Sequence, residues 1–330
     1  MSGYESIVRE WGDMRARLGQ VDPYTARKAV EKALLFTPFI AGEIDEISPC
    51  DIEQALCKLG SEGGRSGDGR CSSTLRAAHL AATQAVDWAV TRGIAKDNPF
   101  RLVPRPRARK ARTRSLDQAA ANQLAVFAEQ TMRENMERRK IEQAAYCMAV
   151  LLALSTGMRR GEVFALEWPD FDGGSIMVRR AVKGGGNIGE PKSESGVRRI
   201  ALGASFVKTL GFYRAWQESW MPQARWDEAR YVIADANGNI ANMSTFEHWW
   251  ARFRGDAGFH GLKYHELRHT HASLLIGAGV DVKTVQTRMG HSSADITMNV
   301  YAHAMPRNDE IAAAMLDDML TYAKEDNDER

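Results

Sequence analysis

Residues 263–275 read KYHELRHTHASLL, three histidines and an arginine inside a helical pattern that runs on from Ser244 with turns at GDAG, GAGV and GHSS. On a helix the three-residue spacing puts His265 and Arg268 on one face. Three other segments share this density of Arg, Lys, His and Tyr: STGMRRGEVFALEW at 155–168, EPKSESGVRRIAL at 190–202, and MGHSSADITMNVYAH at 289–303. Each residue alone has an ordinary explanation. Arg159 is of the type that usually forms a surface ion pair. Lys192 in a polar turn is solvated, His265 or His291 is a satisfied structural histidine, and Tyr301 is a packed aromatic. Their joint occurrence is what needs a reason.

A chain of 330 residues exceeds one ordinary core and is expected to form two domains. With 44% hydrophobic and 26% charged residues the composition is globular and excludes a disordered chain. The net charge of +2 is too small to point to an acidic partner. Its distribution says more: residues 101–114, RLVPRPRARKARTR, hold seven basic residues and no acid. Arg105, Arg107, Arg109, Lys110, Arg112 and Arg114 suit contact with a phosphate backbone, and a solvated linker is the plain alternative. Cys50, Cys57, Cys71 and Cys147 show no CxxC pair and no metal-finger spacing, so reduced thiols and no metal site are expected. The N-terminus MSGYESIVREWGDM is charged where a signal peptide needs an apolar core, and no stretch approaches about 18 apolar residues. A cytoplasmic chain without a membrane partner is expected.

Residues 1–100 read as a small helical bundle. It comprises YTARKAVEKALLFTPFI from residue 24, SPCDIEQALCKL with a cap-like start, and SSTLRAAHLAATQAVDWAVTRG. In the last, Leu75, Ala78, Ala82, Val86 and Val90 recur at helical spacing, Ser72 or Ser73 can cap the start, and Gly93 ends it. Residues 101–114 form a basic, proline-containing linker. Residues 115–307 read as a mainly α domain with one small antiparallel β-sheet of two or three strands in SIMVRRAVKGGGNIGEPKSESGVRRIALG, and YVIADANGNIA adds a brief extended piece. Residues 308–330 add a helix with Ile311, Met315, Leu316, Met319 and Leu320 on one face, followed by an acidic tail.

Together TGMRRGE, PKS, HELRH and MGHSS, with Tyr301 ten residues after His291, resemble the catalytic domain of the tyrosine recombinases, the phage-integrase family of DNA breaking and rejoining enzymes. The resemblance runs from about residue 70 to 303, since STLRAAHLAATQAVDWAVTRGIAKDNPF is similar to the end of that family's helical core-binding domain. It implies an N-terminal helical core-DNA-binding domain and a mixed α/β catalytic domain. It also implies Arg159, Lys192, His265, Arg268, His291 and Tyr301 as the catalytic set, with no cofactor and no metal. Paired guanidinium groups of Arg159 and Arg268 would neutralise the nonbridging phosphate oxygens, and lysine would replace neither well. The Tyr301 phenol, mostly neutral at pH 7 given a reference pKa of about 10, would attack phosphorus to give a 3′-phosphotyrosine. Lys192 would protonate the leaving 5′-oxygen, with Lys183 in its Gly-flanked turn as the competing assignment. His291 would hydrogen-bond a phosphate oxygen, and Ser292 or Ser293 would cap the helix leading to Tyr301. Glu162 either orients Arg159 or forms a plain i,i+3 pair with it. His269 and His271 stand behind these groups as orienting or packing residues.

The resemblance implies an integrase of a phage or integrative element. A resolvase of chromosome or plasmid dimers, or a transposon recombinase, would share the chemistry. A non-catalytic regulator, with GVDVKTVQTRMGHSS as a helix-turn-helix, accounts for the basic linker but not for six residues in family register. The implied partners are double-stranded DNA at recombination sites, a homo-tetramer on that DNA, and accessory DNA-bending or directionality proteins. A first helix near residue 24 leaves little room for a separate arm-binding domain. The two domains are expected to close as a C-shaped clamp on duplex DNA. The C-terminal helix is expected to dock on a neighbouring protomer, packing on its own domain being the alternative.

Overall fold

Apolar residues at helical spacing begin almost at the N-terminus. Tyr4, Ile7, Val8 and Trp11 face inward along helix α1 (Tyr4–Arg17), while Glu5 and Arg9 pair across one turn on its exposed side. This helix precedes the expected start at residue 24; its charged residues mask a two-turn apolar stripe. The computed structural model describes residues 3–40, 42–62, 69–107, 114–191, 194–221 and 231–290, and positions 313, 314, 316, 317, 319 and 320. The chain divides into two compact units, Met1–Arg112 and Thr113–Arg330.

In the first unit α1 is followed by α2 (Pro23–Ala33), α3 (Pro49–Ser61) and α4 (Ser72–Thr91). Asp22 caps α2 by accepting from the Thr25 amide at 3.0 Å, with Pro23 in the first turn. Ser48 and Asp51 form a capping box at α3. The N-cap of α4 is Cys71 rather than Ser72 or Ser73, which already lie inside its first turn, and Cys71 makes no side-chain cap bond. Phe100 closes the bundle, stacked on Tyr4 and edge-on to Phe36.

The second unit is built around α6 (Ile141–Thr156), where every residue from Ala144 to Ala153 is buried. A helix apolar all round must be enclosed by others. Here α5 (Gln118–Glu137) and α10 (Tyr264–Gly277) pack against it. After α6 the chain turns through α7 (Arg160–Phe164) into four short strands: β1 (Ser175–Val178), β2 (Ala181–Val182), β3 (Ile188–Gly189) and β4 (Arg198–Ala201). They form two antiparallel pairs rather than one sheet, β1 with β4 and β2 with β3. Ile176 opposes Ile200 in the first pair and Val182 opposes Ile188 in the second. The YVIADANGNIA segment contributes only isolated bridges, Glu167 to Tyr231 and Ala234 to Ile240. Among the described residues, helices α8 (Ala204–Trp220), α9 (Met243–Asp256) and α11 (Val282–Met289) also belong to the unit, with Asn242 capping α9 and Asp281 capping α11.

Aromatic contacts fix the helices that carry Arg159 and Arg268. The Phe246 ring on α9 lies 4.9 Å from Tyr264 on α10, 5.1 Å from Phe164 on α7 and 5.3 Å from Tyr146 on α6. The Tyr264 hydroxyl donates to the Ala149 carbonyl at 2.8 Å, and that of Tyr146 to the Asn242 carbonyl at 3.0 Å. Near the C-terminus Leu316, Met319 and Leu320 are exposed; Ile311 and Met315 lie outside the described residues. No helix among the described residues is long and apolar enough to cross a membrane. Phe246→Ala should destabilise the protein by about 3–5 kcal/mol. The urea midpoint should fall at unchanged slope.

Candidate active site

The C-terminus of α6 sets the site. Gly157 caps that helix with φ +67, a left-handed conformation that favours glycine. A Cβ there would also come within 2.6 Å of Met289 Sδ and 2.7 Å of His271 Cδ2. The chain thus passes directly beneath α10 and α11 before reaching Arg159, the N-cap of α7.

Glu162, one turn into α7, is buried with its side chain 1% exposed. Its Oε1 accepts from Arg159 Nη1 at 2.8 Å. Its Oε2 accepts from the Arg159 amide at 2.9 Å and from Arg198 Nη2 at 2.8 Å. Burial alone would raise this carboxyl's pKa, but Arg198, and after it Arg159, bring it below the usual carboxylate range. The i,i+3 pair with Arg159 is therefore half of a clamp closed from the other side by β4.

Three guanidinium groups then converge on the C-terminal carbonyls of α11. Arg159 Nη2 donates to the Gly290 carbonyl at 2.7 Å, Arg198 Nε to that of Arg288 at 2.7 Å, and Arg268 Nη2 to that of Met289 at 2.5 Å. Arg268 Nη1 also donates to the Gly157 carbonyl at 2.6 Å. A helix C-terminus carries partial negative charge on such carbonyls, so cations are favoured there. Gly290 ends α11 at φ +63, and a Cβ would lie 2.8 Å from the Ser195 carbonyl oxygen. Burial, then Arg159 and Arg198, push the Arg268 guanidinium down to about 9, with Glu162 opposing them. It remains cationic at neutral pH. Three guanidinium groups against one carboxylate leave an excess of positive charge that a bound anion would relieve.

A brace lies behind this cluster. His271 Nδ1 donates to the Leu154 carbonyl at 2.7 Å, and its Nε2 accepts from Arg288 Nε at 3.1 Å. Burial, with lesser repulsion from Arg288 and Arg268, lowers the His271 pKa to about 4 despite the opposing Leu154 carbonyl. It is neutral at pH 7, as accepting from Arg288 requires. Arg288 Nη2 also reaches the Ser155 carbonyl at 3.2 Å, so α6, α10 and α11 are joined through polar groups.

Of the residues singled out in the sequence, Arg159, Glu162 and Arg268 come together. His265 lies exposed on the helix that carries Arg268, its ring 6.0 Å from His269. His269 has a lowered pKa, from burial first and then from His265 and Arg268. Lys183 opens the β2–β3 turn, its amide donating to the Asn187 carbonyl at 2.7 Å. Lys192, His291, Tyr301, His303, Arg109, Lys110 and Arg112 lie outside the described residues. Arg105 and Arg107 are exposed in the first unit. Arg114 gives one N–H to the His260 carbonyl at 3.1 Å. Sequence reasoning missed Arg198, although a signal existed: in VRRI, Arg198 and Ile200 alternate onto the buried face of β4 while Arg199 points out. An arginine on the apolar side of a strand requires an acid, and Glu162 is that acid.

A fold of this kind, with an arginine cluster gathered at a helix C-terminus, defines a class. The phage integrase family model matches residues 114–307, more than half of the chain, and the chain belongs to that family. It is 30% identical over 188 residues to a XerC-like tyrosine recombinase of Caldanaerobacter subterraneus, covering 51% of this chain and 48% of that protein. To the ICEBs1 integrase of Bacillus subtilis it is 29% identical over 178 residues, covering 51% and 48%. The chain thus spans about half the length of these relatives. In fold it resembles the Tn1549 transposon integrase solved with circular intermediate DNA, with a TM-score of 0.72 at 19% identity over 94% of this chain and 99% of that one. A lambda integrase tetramer bound to a Holliday junction gives a TM-score of 0.65 at 18% identity over 89% and 79%.

The clamp makes stability pH-dependent. A carboxylate whose folded pKa is depressed stabilises the fold above its unfolded pKa, and the contribution is lost as pH falls through the folded value. Glu162→Gln should cost about 3–5 kcal/mol at pH 7 by leaving Arg198 buried without its counter-charge. In denaturant titrations across pH the difference from wild type should shrink as Glu162 protonates.

Proposed function

We propose that the chain is a site-specific tyrosine recombinase, an integrase of a phage or integrative element, that breaks and rejoins DNA through a 3′-phosphotyrosine intermediate. The observation that carries the reading is the convergence of Arg159 and Arg268 at the C-terminus of α11, with net positive charge left over, one residue before His291. A phosphodiester in transfer spreads negative charge over its nonbridging oxygens, and two guanidinium forks neutralise it without a metal ion. His265, on the helix of Arg268, and His291 complete the set of donors to those oxygens. The Tyr301 phenol releases its proton to solvent, helped by Arg159, Arg268 and the imidazoles, as its oxygen attacks phosphorus; the bond to the 5′-oxygen breaks, and Lys192 gives that oxygen its proton, with Lys183 as the other candidate. The phosphotyrosine bond keeps the energy of the broken linkage, so a 5′-hydroxyl of a second strand reverses the step without ATP.

Family membership supports this reading, and so do relatives named as integrases and tyrosine recombinases. The partners follow from it: double-stranded DNA at recombination sites, a homo-tetramer on two duplexes, and accessory DNA-bending or directionality proteins, all in the cytoplasm. Residues 1–100 act as the core-DNA-binding domain, 101–114 as the linker along the backbone, and 115–307 as the catalytic domain. Residues 308–330 are a helix and tail that dock on a neighbouring protomer, and the exposed Leu316, Met319 and Leu320 supply an apolar face for it.

The chemistry is tested with a nicked suicide duplex carrying a site enriched from random-sequence DNA on the full chain. Wild type should form a covalent adduct that is absent with Tyr301→Phe and insensitive to EDTA; an adduct persisting in Tyr301→Phe overturns the nucleophile. Replacing Arg105, Arg107, Arg109 and Arg112 by glutamine should flatten the dependence of log K on log salt by roughly 0.9 for each phosphate that is no longer neutralised. Removing residues 308–330 should impair strand exchange far more than binding of one site.

A further inference from the structure

Arg198 is the most enclosed cation of the cluster, its side chain 4% exposed. Nη2 holds Glu162 Oε2 at 2.8 Å, Nε the Arg288 carbonyl at 2.7 Å and Nη1 the Gly196 carbonyl at 2.9 Å. So placed, it cannot reach a DNA phosphate, and any effect on chemistry passes through its neighbours. The neighbour that matters is Glu162, because the same carboxylate holds Arg159 through Oε1. With Arg198 present the buried carboxylate has two guanidinium partners. Without it, Arg159 is the one cation still hydrogen-bonded to Glu162 among the described residues, and a desolvated carboxylate draws such a partner into a two-pronged pair. The Arg159 fork would then turn toward Glu162 and away from a ligand, and the excess positive charge facing an anion would fall by one.

We propose that Arg198 is a positioning residue for DNA cleavage: by sharing Glu162 and pinning the end of α11, it keeps the Arg159 guanidinium directed at the scissile phosphate. The proposal rests on the reading of Arg159 given under Proposed function. Lysine cannot replace Arg198, since a single ammonium lacks the planar fork that meets Glu162 and two carbonyls at once.

The test compares duplexes of the enriched site whose scissile linkage is either the natural phosphate or a neutral methylphosphonate, which lacks the charge that Arg159 neutralises. The single-turnover rate of covalent adduct formation by the full chain is measured for wild type, Arg198→Lys, Arg198→Met and Arg159→Lys. Both Arg198 variants should lose phosphate cleavage on the order of 10- to 100-fold, while methylphosphonate cleavage stays near wild type. The ratio of the two rates then shifts in the same sense as in Arg159→Lys. Arg198→Lys keeps a cation beside Glu162, and its folding is checked by thermal midpoint and DNA affinity. A folded Arg198→Lys with the wild-type ratio, beside an Arg159→Lys whose ratio has shifted, overturns the proposal and leaves Arg198 a structural residue. An unshifted ratio in Arg159→Lys itself sinks the reading of Arg159 and this inference with it, and that failure is visible without any Arg198 variant.

Discussion

A single buried carboxylate organises the second unit. Glu162 is 2% exposed, and a charge so placed persists only where cations and hydrogen bonds replace the water it has lost. Arg159 meets this requirement from the start of α7 and Arg198 from β4, so the helix and the strand are held to one another at a fixed point. The paired carboxylate lets the arginines stand close together, because their mutual repulsion is offset where they are nearest.

The other fixed point is the end of α11. Its last carbonyls have no intrahelical partners, and Arg159, Arg198 and Arg268 supply three of them. His271 and Arg288 hold the same corner from behind through the Leu154 and Ser155 carbonyls of α6. The result is a rigid, positively charged corner at the point where the chain continues to His291 and Tyr301. Such preorganisation is what phosphoryl transfer asks of a protein, since positioning and charge stabilisation supply most of the catalysis.

Much of the fold is legible in the sequence. The apolar recurrence in α4, the cap-like start of α3 at Ser48 and the apolar run of α6 follow local rules, and these helices lie close to where the rules put them, although α4 is capped at Cys71 rather than Ser72 or Ser73 and α2 ends at Ala33. Helix α1 is harder to read, because charged residues interrupt the stripe formed by Tyr4, Ile7, Val8 and Trp11. The strand region reads as one sheet, whereas its strands of two to four residues form two separate pairs. Register between such short pieces is set by what packs on them, which local sequence does not contain.

The sequence by itself determined the chemistry available: permanent cations at Arg159 and Arg268, imidazoles at His265 and His291, a phenol at Tyr301, and a family register linking them. It determined this because residue type and short-range spacing are local properties. Only the tertiary structure decided which acid serves which base. Glu162 pairs with Arg198 across 36 residues, and Arg268 reaches carbonyls at Gly157 and Met289 from 111 and 21 residues away. These partnerships arise when α6, α7, β4, α10 and α11 are packed together. A buried charge then takes whichever partner the packing brings within reach, and no periodicity along the chain encodes that choice.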